Sequence, residues 1–478
     1  MHRSVIPLAA GFPPASRERW RALVERTLEG AGVETLVSEG ADGLRIEALY
    51  AADGAAAPVA FVPAPRGGGG WDIRAVIDHP DPAEATVRVA AELAGGARSL
   101  LVRLDPSARA GVAVGAAEGL ERLLRPVRLE ETAVALDAGF IGVTAGGWLA
   151  AAAKASPTAK LALHLDPLSA FAEMGASPGP IESHLIAAAG LAARLAEPYP
   201  EARFFLASGR VAHEAGGGQG WELALMAAAA VAYAKAMVRA GLAMPAAFGR
   251  ITLGLAVDTD PLVSIAKLRA ARILWARITG ACGVEAPAVI EARSSARMLT
   301  SGDPWTNLVR LTAAGFAGAV GGADSLVLAA FTDALGLATP FARRLSRNTQ
   351  LVLMEEAHLG RVADPVGGAW AFEALTRELA QAAWASFTAI EAAGGAVEAL
   401  RSGLIAEEVA AGRSALAARV AAGEMKIVGV TDFAQAPDRT PEVESSTFAP
   451  VEAPSPRLPG PDSHCPALAP IRLEALAA

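Results

Sequence analysis

The chain has 478 residues, of which 53% are hydrophobic, 19% charged and only 5% aromatic, with a formal net charge of −8. This apolar content excludes a globally disordered chain, and the acidic balance argues against a nucleic-acid binder, which needs a basic face. Two cysteines, Cys282 and Cys465, build neither a disulfide framework nor a zinc site, so a reducing, cytoplasmic setting is expected.

In chain order, Met1–Pro13 is too short and too broken by Pro7 and Gly11 for a secretory segment. Arg17–Leu28 has the period of an amphipathic helix, and a Pro/Gly passage runs from Pro58 to Gly70. Residues 1–70 are therefore read as an N-terminal arm. Apolar runs with strand character then recur at Trp71–Ile77, Ser99–Asp105, Thr132–Ala138, Leu161–Asp166, Arg203–Ser208, Ile251–Asp258, Ala286–Ala292 and Ser325–Phe331. Helical patterns such as Ala83–Leu93, Trp221–Ala240 and Pro261–Thr279 alternate with them. Near-continuous apolar runs suit strands buried on both faces. Eight such units predict an α/β protein of the (β/α)8 barrel type over residues 71–433. The most apolar stretch, Met226–Val238, is interrupted by Lys235 and falls short of a membrane span.

Further helices are expected from Thr339 to Leu404, including Thr376–Ala393, which stops at Gly394-Gly395. Lys426–Phe433 reads as a short terminal strand or docking segment. Residues 434–478 hold nine prolines and predict an extended tail, with an apolar tip at Leu468–Leu476 able to lie along a barrel.

Asp105, Asp166, Ser208 and Asp258 close their runs at the end where barrel enzymes do chemistry. The three aspartates are equally the residue type that caps a following helix, and they are also the acid–base candidates of a stand-alone lyase or isomerase. No HExxH, P-loop or GxSxG pattern occurs, and seven scattered histidines give no metal-ligand spacing. No metal centre is expected.

The specific signal lies late. Arg347-Asn348-Thr349-Gln350-Leu351 continues through Glu355-Glu356, His358 and Arg361-Val362 to Asp364-Pro365-Val366-Gly367-Gly368. Upstream stand Ala266-Lys267-Leu268-Arg269-Ala270-Ala271-Arg272 with Trp275, Asp303-Pro304 with Asn307 and Arg310, Gly321-Gly322 with Ser325-Leu326, and Glu214-Ala215-Gly216 followed by Glu222-Leu223-Ala224. In this order the blocks resemble the methylmalonyl-CoA mutase family over about residues 70–433. The resemblance implies a (β/α)8 acyl-CoA barrel that works with adenosylcobalamin. The blocks themselves are expected to hold the fold: Arg347 is a candidate partner of Glu355, Lys267 and Arg272 are candidates for a solvated helix face, and His358 is read as a structural histidine.

Against the family's catalytic pattern the chain departs at four strand ends. The resemblance implies a tyrosine between substrate and corrin; here Trp71-Asp72-Ile73-Arg74 leads to Ala75-Val76, and Val76 has neither ring nor hydroxyl. The family's Tyr-His pair, whose histidine bonds the thioester carbonyl, falls on Arg210-Val211, with His213 two residues on. The family's Thr-Ile-Gln-Asn-Asp stretch is replaced by Leu163-His164-Leu165-Asp166-Pro167. Glu291 stands where the family has a neutral histidine, and is expected to repel an acyl-CoA carboxylate.

No catalytic residue is therefore assigned, Glu214, Ala215 and Gly216 being the vestigial cofactor-side candidates. The cobalt-ligating Asp-x-His-x-x-Gly loop also lacks a match, since Asp462 and His464 are followed by Ala467 instead of glycine. The expectation is a small, non-catalytic subunit whose large catalytic partner binds adenosylcobalamin and the acyl-CoA substrate, with no cofactor held by this chain alone and no nucleic acid or membrane partner. The alternative is an active mutase barrel that works with a separate cobalamin-binding polypeptide.

Overall fold

The structure is a computed structural model that describes residues 11, 15–40, 43–51, 70–434, 439–454 and 458–477. The Met1–Pro13 segment, Gly11 apart, and the Pro/Gly passage before Gly70 lie outside the described residues. Eight parallel strands close into a barrel: β1 Asp72–Ile77, β2 Ser99–Arg103, β3 Ala133–Asp137, β4 Leu161–Leu165, β5 Arg203–Ser208, β6 Ile251–Val257, β7 Ile290–Ser294 and β8 Ser325–Val327. β8 pairs back onto β1 through Ser325–Asp72 and Leu326–Ile73, which completes the ring.

The strand order is the one the sequence predicts, with two shifts. Ala286–Ala292 is placed four residues too early, because Pro287 has no N–H for the ladder and the strand begins only at Ile290. The run from Ser325 is shorter than predicted, ending at Val327 where the chain leaves for a loop. Lys426–Phe433 forms no strand; it is a turn closed by hydrogen bonds to the carbonyl of Ile427, with one isolated bridge between Val428 and Asp432.

Helix starts follow a repeated local device. Asp81-Pro82, Asp166-Pro167, Asp260-Pro261 and Thr339-Pro340 each place a capping side chain before a proline in the first turn. The cap satisfies an otherwise orphaned amide, and proline costs nothing where its missing N–H is not needed. Asp166 thus caps Pro167–Met174 as expected. Asp258 does not cap; Asp260 caps Pro261–Ala281, while Asp258 accepts from Asp260 N and Ser264 Oγ. Asp105 organises a loop, accepting amides from Ser107, Arg109 and Ala110.

The outer helices bury small side chains against the strands. Gln219–Arg239 is rich in alanine and packs beneath the long helices Pro261–Ala281 and Trp370–Ala392. Among the described residues it is the one helix long and apolar enough to cross a membrane, and 67% of its apolar window is buried inside the protein. The tail runs extended across the C-terminal end of the barrel. Ser463–His464 pairs antiparallel with Ala176–Ser177, and amides of Val451, Leu468, Ile471 and Leu473 bond to carbonyls of Pro106, Ala172, Glu214 and Arg297.

Candidate functional site at the barrel mouth

Strand alternation sends Arg74, Glu291, Arg293, His164, Asp137 and Arg103 toward the barrel axis, around a small apolar cluster of Val76, Leu101, Ala135, Ala162 and Val327. Glu291 on β7 is fully buried. It pairs with Arg74 on β1, and its Oε1 lies 2.6 Å from Arg293 Nε. Arg293 reaches on to Asp137 on β3 at 3.0 Å, and Arg74 to Asp72 on β1 at 3.0 Å. These cations hold the Glu291 carboxyl far below the usual carboxylate range despite its burial. The expected repulsion by Glu291 is therefore corrected. Its charge is neutralised by two arginines, and the network crosses the axis from β1 to β7 and β3.

Two cavities flank this network and share the walls Arg103, Arg210 and Arg293. One, of about 380 Å³, lies at the C-terminal ends of β8, β1 and β2 and is lined by Val76 and Arg347 among others. The other, of about 420 Å³, lies by β3, β4 and β5, with His164, Asp166, Val211 and Glu214 in its wall and Leu468 and Pro470 of the tail against it. Val76, Arg210 and Val211 thus all border the mouth cavities, Val211 while also packed into the main apolar core.

The remaining candidates have structural employment. His213 is completely buried, 3.0 Å from Ser295 Oγ and 3.1 Å from Glu222 Oε2, so it belongs to a packed polar cluster. Glu214 accepts from the amides of Ala296 and Arg297, and its backbone carbonyl accepts from Ile471. Gly216, at φ +101°, lies so close to Arg413 that a Cβ there would stand 2.8 Å from it. Glu214, Ala215 and Gly216 therefore clamp the β7 loop and the tail.

Three expectations about the late blocks are revised. Arg347 pairs with Glu92 at 2.5 Å, and Glu355 lies 3.6 Å from Arg98. Lys267 is fully buried, 2.6 Å from both Glu222 and Gln219. Arg272 is buried against the carbonyls of Ala288 and Gly322 and the carboxyl of Asp324. The amphipathic pattern gave no warning of these buried charges, because the helices are covered on both sides. His358 is exposed and adopts φ +57° at the start of a short 3-10 turn. The blocks do hold the fold: Gln350 accepts from Trp71 Nε1, and Arg269 binds Asp364 and Glu373.

Residues 67–454 match the sequence profile of the methylmalonyl-CoA mutase family. The chain belongs to that family. It is 38% identical to a methylmalonyl-CoA mutase small subunit of Streptomyces virginiae, over 93% of this chain and 74% of that one. To the small subunit of Propionibacterium freudenreichii subsp. shermanii it is 32% identical, over 94% and 73%. The large subunit of Streptomyces virginiae is more distant, 28% identical over 89% of this chain and 63% of its own.

The family's cofactor would have to approach this mouth. There Val76 presents neither ring nor hydroxyl, and the tail is hydrogen-bonded across the loops that follow β4, β5 and β7.

Among the described residues no group of histidine, cysteine and carboxylate side chains has metal-binding geometry. Sequence reasoning missed Arg103, Asp137 and Arg293 as site residues. The only signal was a charged residue at the end of an apolar run.

Proposed function

We propose that this chain is the small, non-catalytic subunit of a cytoplasmic, heterodimeric methylmalonyl-CoA mutase. In this reading the large subunit carries adenosylcobalamin, binds the acyl-CoA and interconverts (R)-methylmalonyl-CoA and succinyl-CoA. The observation that carries it is the ion-paired barrel axis: the Arg74–Glu291–Arg293–Asp137 network crosses the barrel beside the cavity that Val76 lines. An acyl thioester entering there would have to break paired, buried charges, which is strongly unfavourable. The tail across the mouth supports the same division of labour, as does the likeness to relatives named small subunits.

Purified alone with adenosylcobalamin, the chain should neither bind the cofactor tightly nor turn over methylmalonyl-CoA, whereas co-expression with a large subunit should give an active complex. Cofactor-dependent turnover by the isolated chain would overturn the reading. The double variant Val76→Tyr with Val211→His should stay inactive, because the Glu291 network remains. Activity of that variant with a separate cobalamin-binding protein would favour an active barrel working with a second polypeptide.

A further inference from the structure

His164, the penultimate residue of β4, sits at φ +46°, a backbone conformation uncommon for residues other than glycine, and the pairing of β4 with β5 slips between Ala162 and Leu165 around it. Its side chain is almost wholly buried, yet neither ring nitrogen has a hydrogen-bond partner. The nearest carboxylate oxygen, Glu291 Oε2, is 3.8 Å from Nε2, too far for a hydrogen bond. A buried polar group left unmatched costs about 1–3 kcal/mol, and backbone strain adds to that. Neither cost serves the packing of the barrel.

The ring borders the 420 Å³ cavity beside β3, β4 and β5, a volume within the range of small-molecule sites. Arg210 borders the same cavity, and its Nε is buried without a partner. Its one ion pair, to Glu214 at 3.7 Å, is loose, because Glu214 is engaged by the amides of Ala296 and Arg297. Arg103 and Arg293 both approach Asp137 Oδ2, at 3.7 and 3.0 Å, so one carboxylate is shared between two guanidinium groups. The wall also carries four carboxylates, of which Asp137 is held by Arg293 and Glu214 by backbone amides; the groups left unmatched are Arg210 Nε and the His164 ring.

We propose that this cavity is a binding site for a small carboxylate with a second hydrogen-bonding oxygen, a hydroxy or keto acid, clasped by Arg210 and Arg103 and read by His164. A planar carboxylate matches the guanidinium fork. The four acidic side chains on the wall, Asp137, Asp166, Glu173 and Glu214, disfavour a dianion, whether phosphate or a dicarboxylate, relative to a monoanion. Burial pushes His164 down to about 4, so near neutrality its ring offers one donor and one acceptor, the pair that a hydroxyl or carbonyl can use. Leu468 and Pro470 of the tail close the far side. The site does not depend on which subunit performs the mutase chemistry.

Titration calorimetry on the full-length chain with lactate, butyrate and inorganic phosphate tests this, together with the ring resonances of His164 in protein labelled with nitrogen-15 histidine. Lactate should saturate and shift the His164 resonances, with butyrate and phosphate each at least about tenfold weaker. Arg210→Met and His164→Gln should each weaken lactate about tenfold or more, and Arg210→Lys, which keeps charge but loses the fork, should fall between. Far-ultraviolet circular dichroism confirms that each variant is folded, and the resonance shift in the unaltered chain needs no variant at all. The absence of saturable lactate binding, phosphate binding as tight as lactate, or full affinity in both His164→Gln and Arg210→Met would overturn the assignment.

Discussion

Arg293 and Asp137 face each other across the barrel axis, their nearest atoms 3.0 Å apart, on strands β7 and β3. Neither strand is adjacent to the other in the ring. The contact therefore exists only because the barrel closes, and it ties opposite walls together through Glu291 and Arg74.

Breaking that tie from one side should be severe. Arg293→Met leaves Glu291 and Asp137 under-compensated in the interior, and a broken buried pair costs about 3–5 kcal/mol. Urea denaturation followed by circular dichroism should show that loss. The triple variant Arg74→Met, Glu291→Leu, Arg293→Met should lose less than Arg293→Met alone, since the fully buried Glu291 charge is gone and the aspartates that lose a partner, Asp72 and Asp137, are partly exposed. A triple variant that loses more would show that the network contributes net stability.

Asp166 and His164 should leave opposite marks on stability against pH. Burial pushes the Asp166 carboxyl from 3.8 up to about 7, so its stabilising contribution is complete below about pH 3.8 and disappears as pH rises towards 7. Burial lowers His164 from 6.5 to about 4, so the fold loses stability as pH falls between those values. Relative to the unaltered chain, Asp166→Asn should gain stability as pH rises from about 4 to 7, and His164→Gln should gain as it falls from about 6.5 to 4. Melting temperatures across this range test it, and parallel curves for all three proteins would contradict both assignments.

Gly209 follows β5 where the backbone meets Glu222. A Cβ there would lie 1.8 Å from the Glu222 carbonyl oxygen, so Gly209→Ala should cost about 3 kcal/mol or more, or prevent folding. Gly147, inside the helix Gly142–Ala152, has nothing within 4 Å of that position. Gly147→Ala should be neutral or stabilise by up to about 1 kcal/mol. Thermal melts of the two variants give a direct comparison.

Removing residues 458–478 should destabilise the chain itself. Leu468, Ile471 and Leu473 are buried by the barrel, and fully burying such a side chain contributes about 1.5–3 kcal/mol. Limited proteolysis of the isolated chain should leave this segment protected, and truncation should lower the melting temperature and weaken assembly with a large subunit. Rapid cleavage of the segment in the isolated chain would contradict its docking on its own barrel.

The strand count, the alternation with helices and the family were all legible in the sequence. A strand buried on both faces must be apolar almost throughout, and the spacing from Trp71 to Val327 leaves little choice but a closed barrel. The roles of the charged residues were not legible. Lys267 has the local sequence of a surface position, and only the helix packed over it, which brings Glu222 within 2.6 Å, makes it a core residue. Glu291 reads as a lone negative charge until Arg74 and Arg293 meet it from strands that are hundreds of residues apart or turned inward by the same pleat. Chain order carries the apolar periodicity that decides which segments become strands. Charge pairing depends on distances across the barrel, and those are set only when the ring closes.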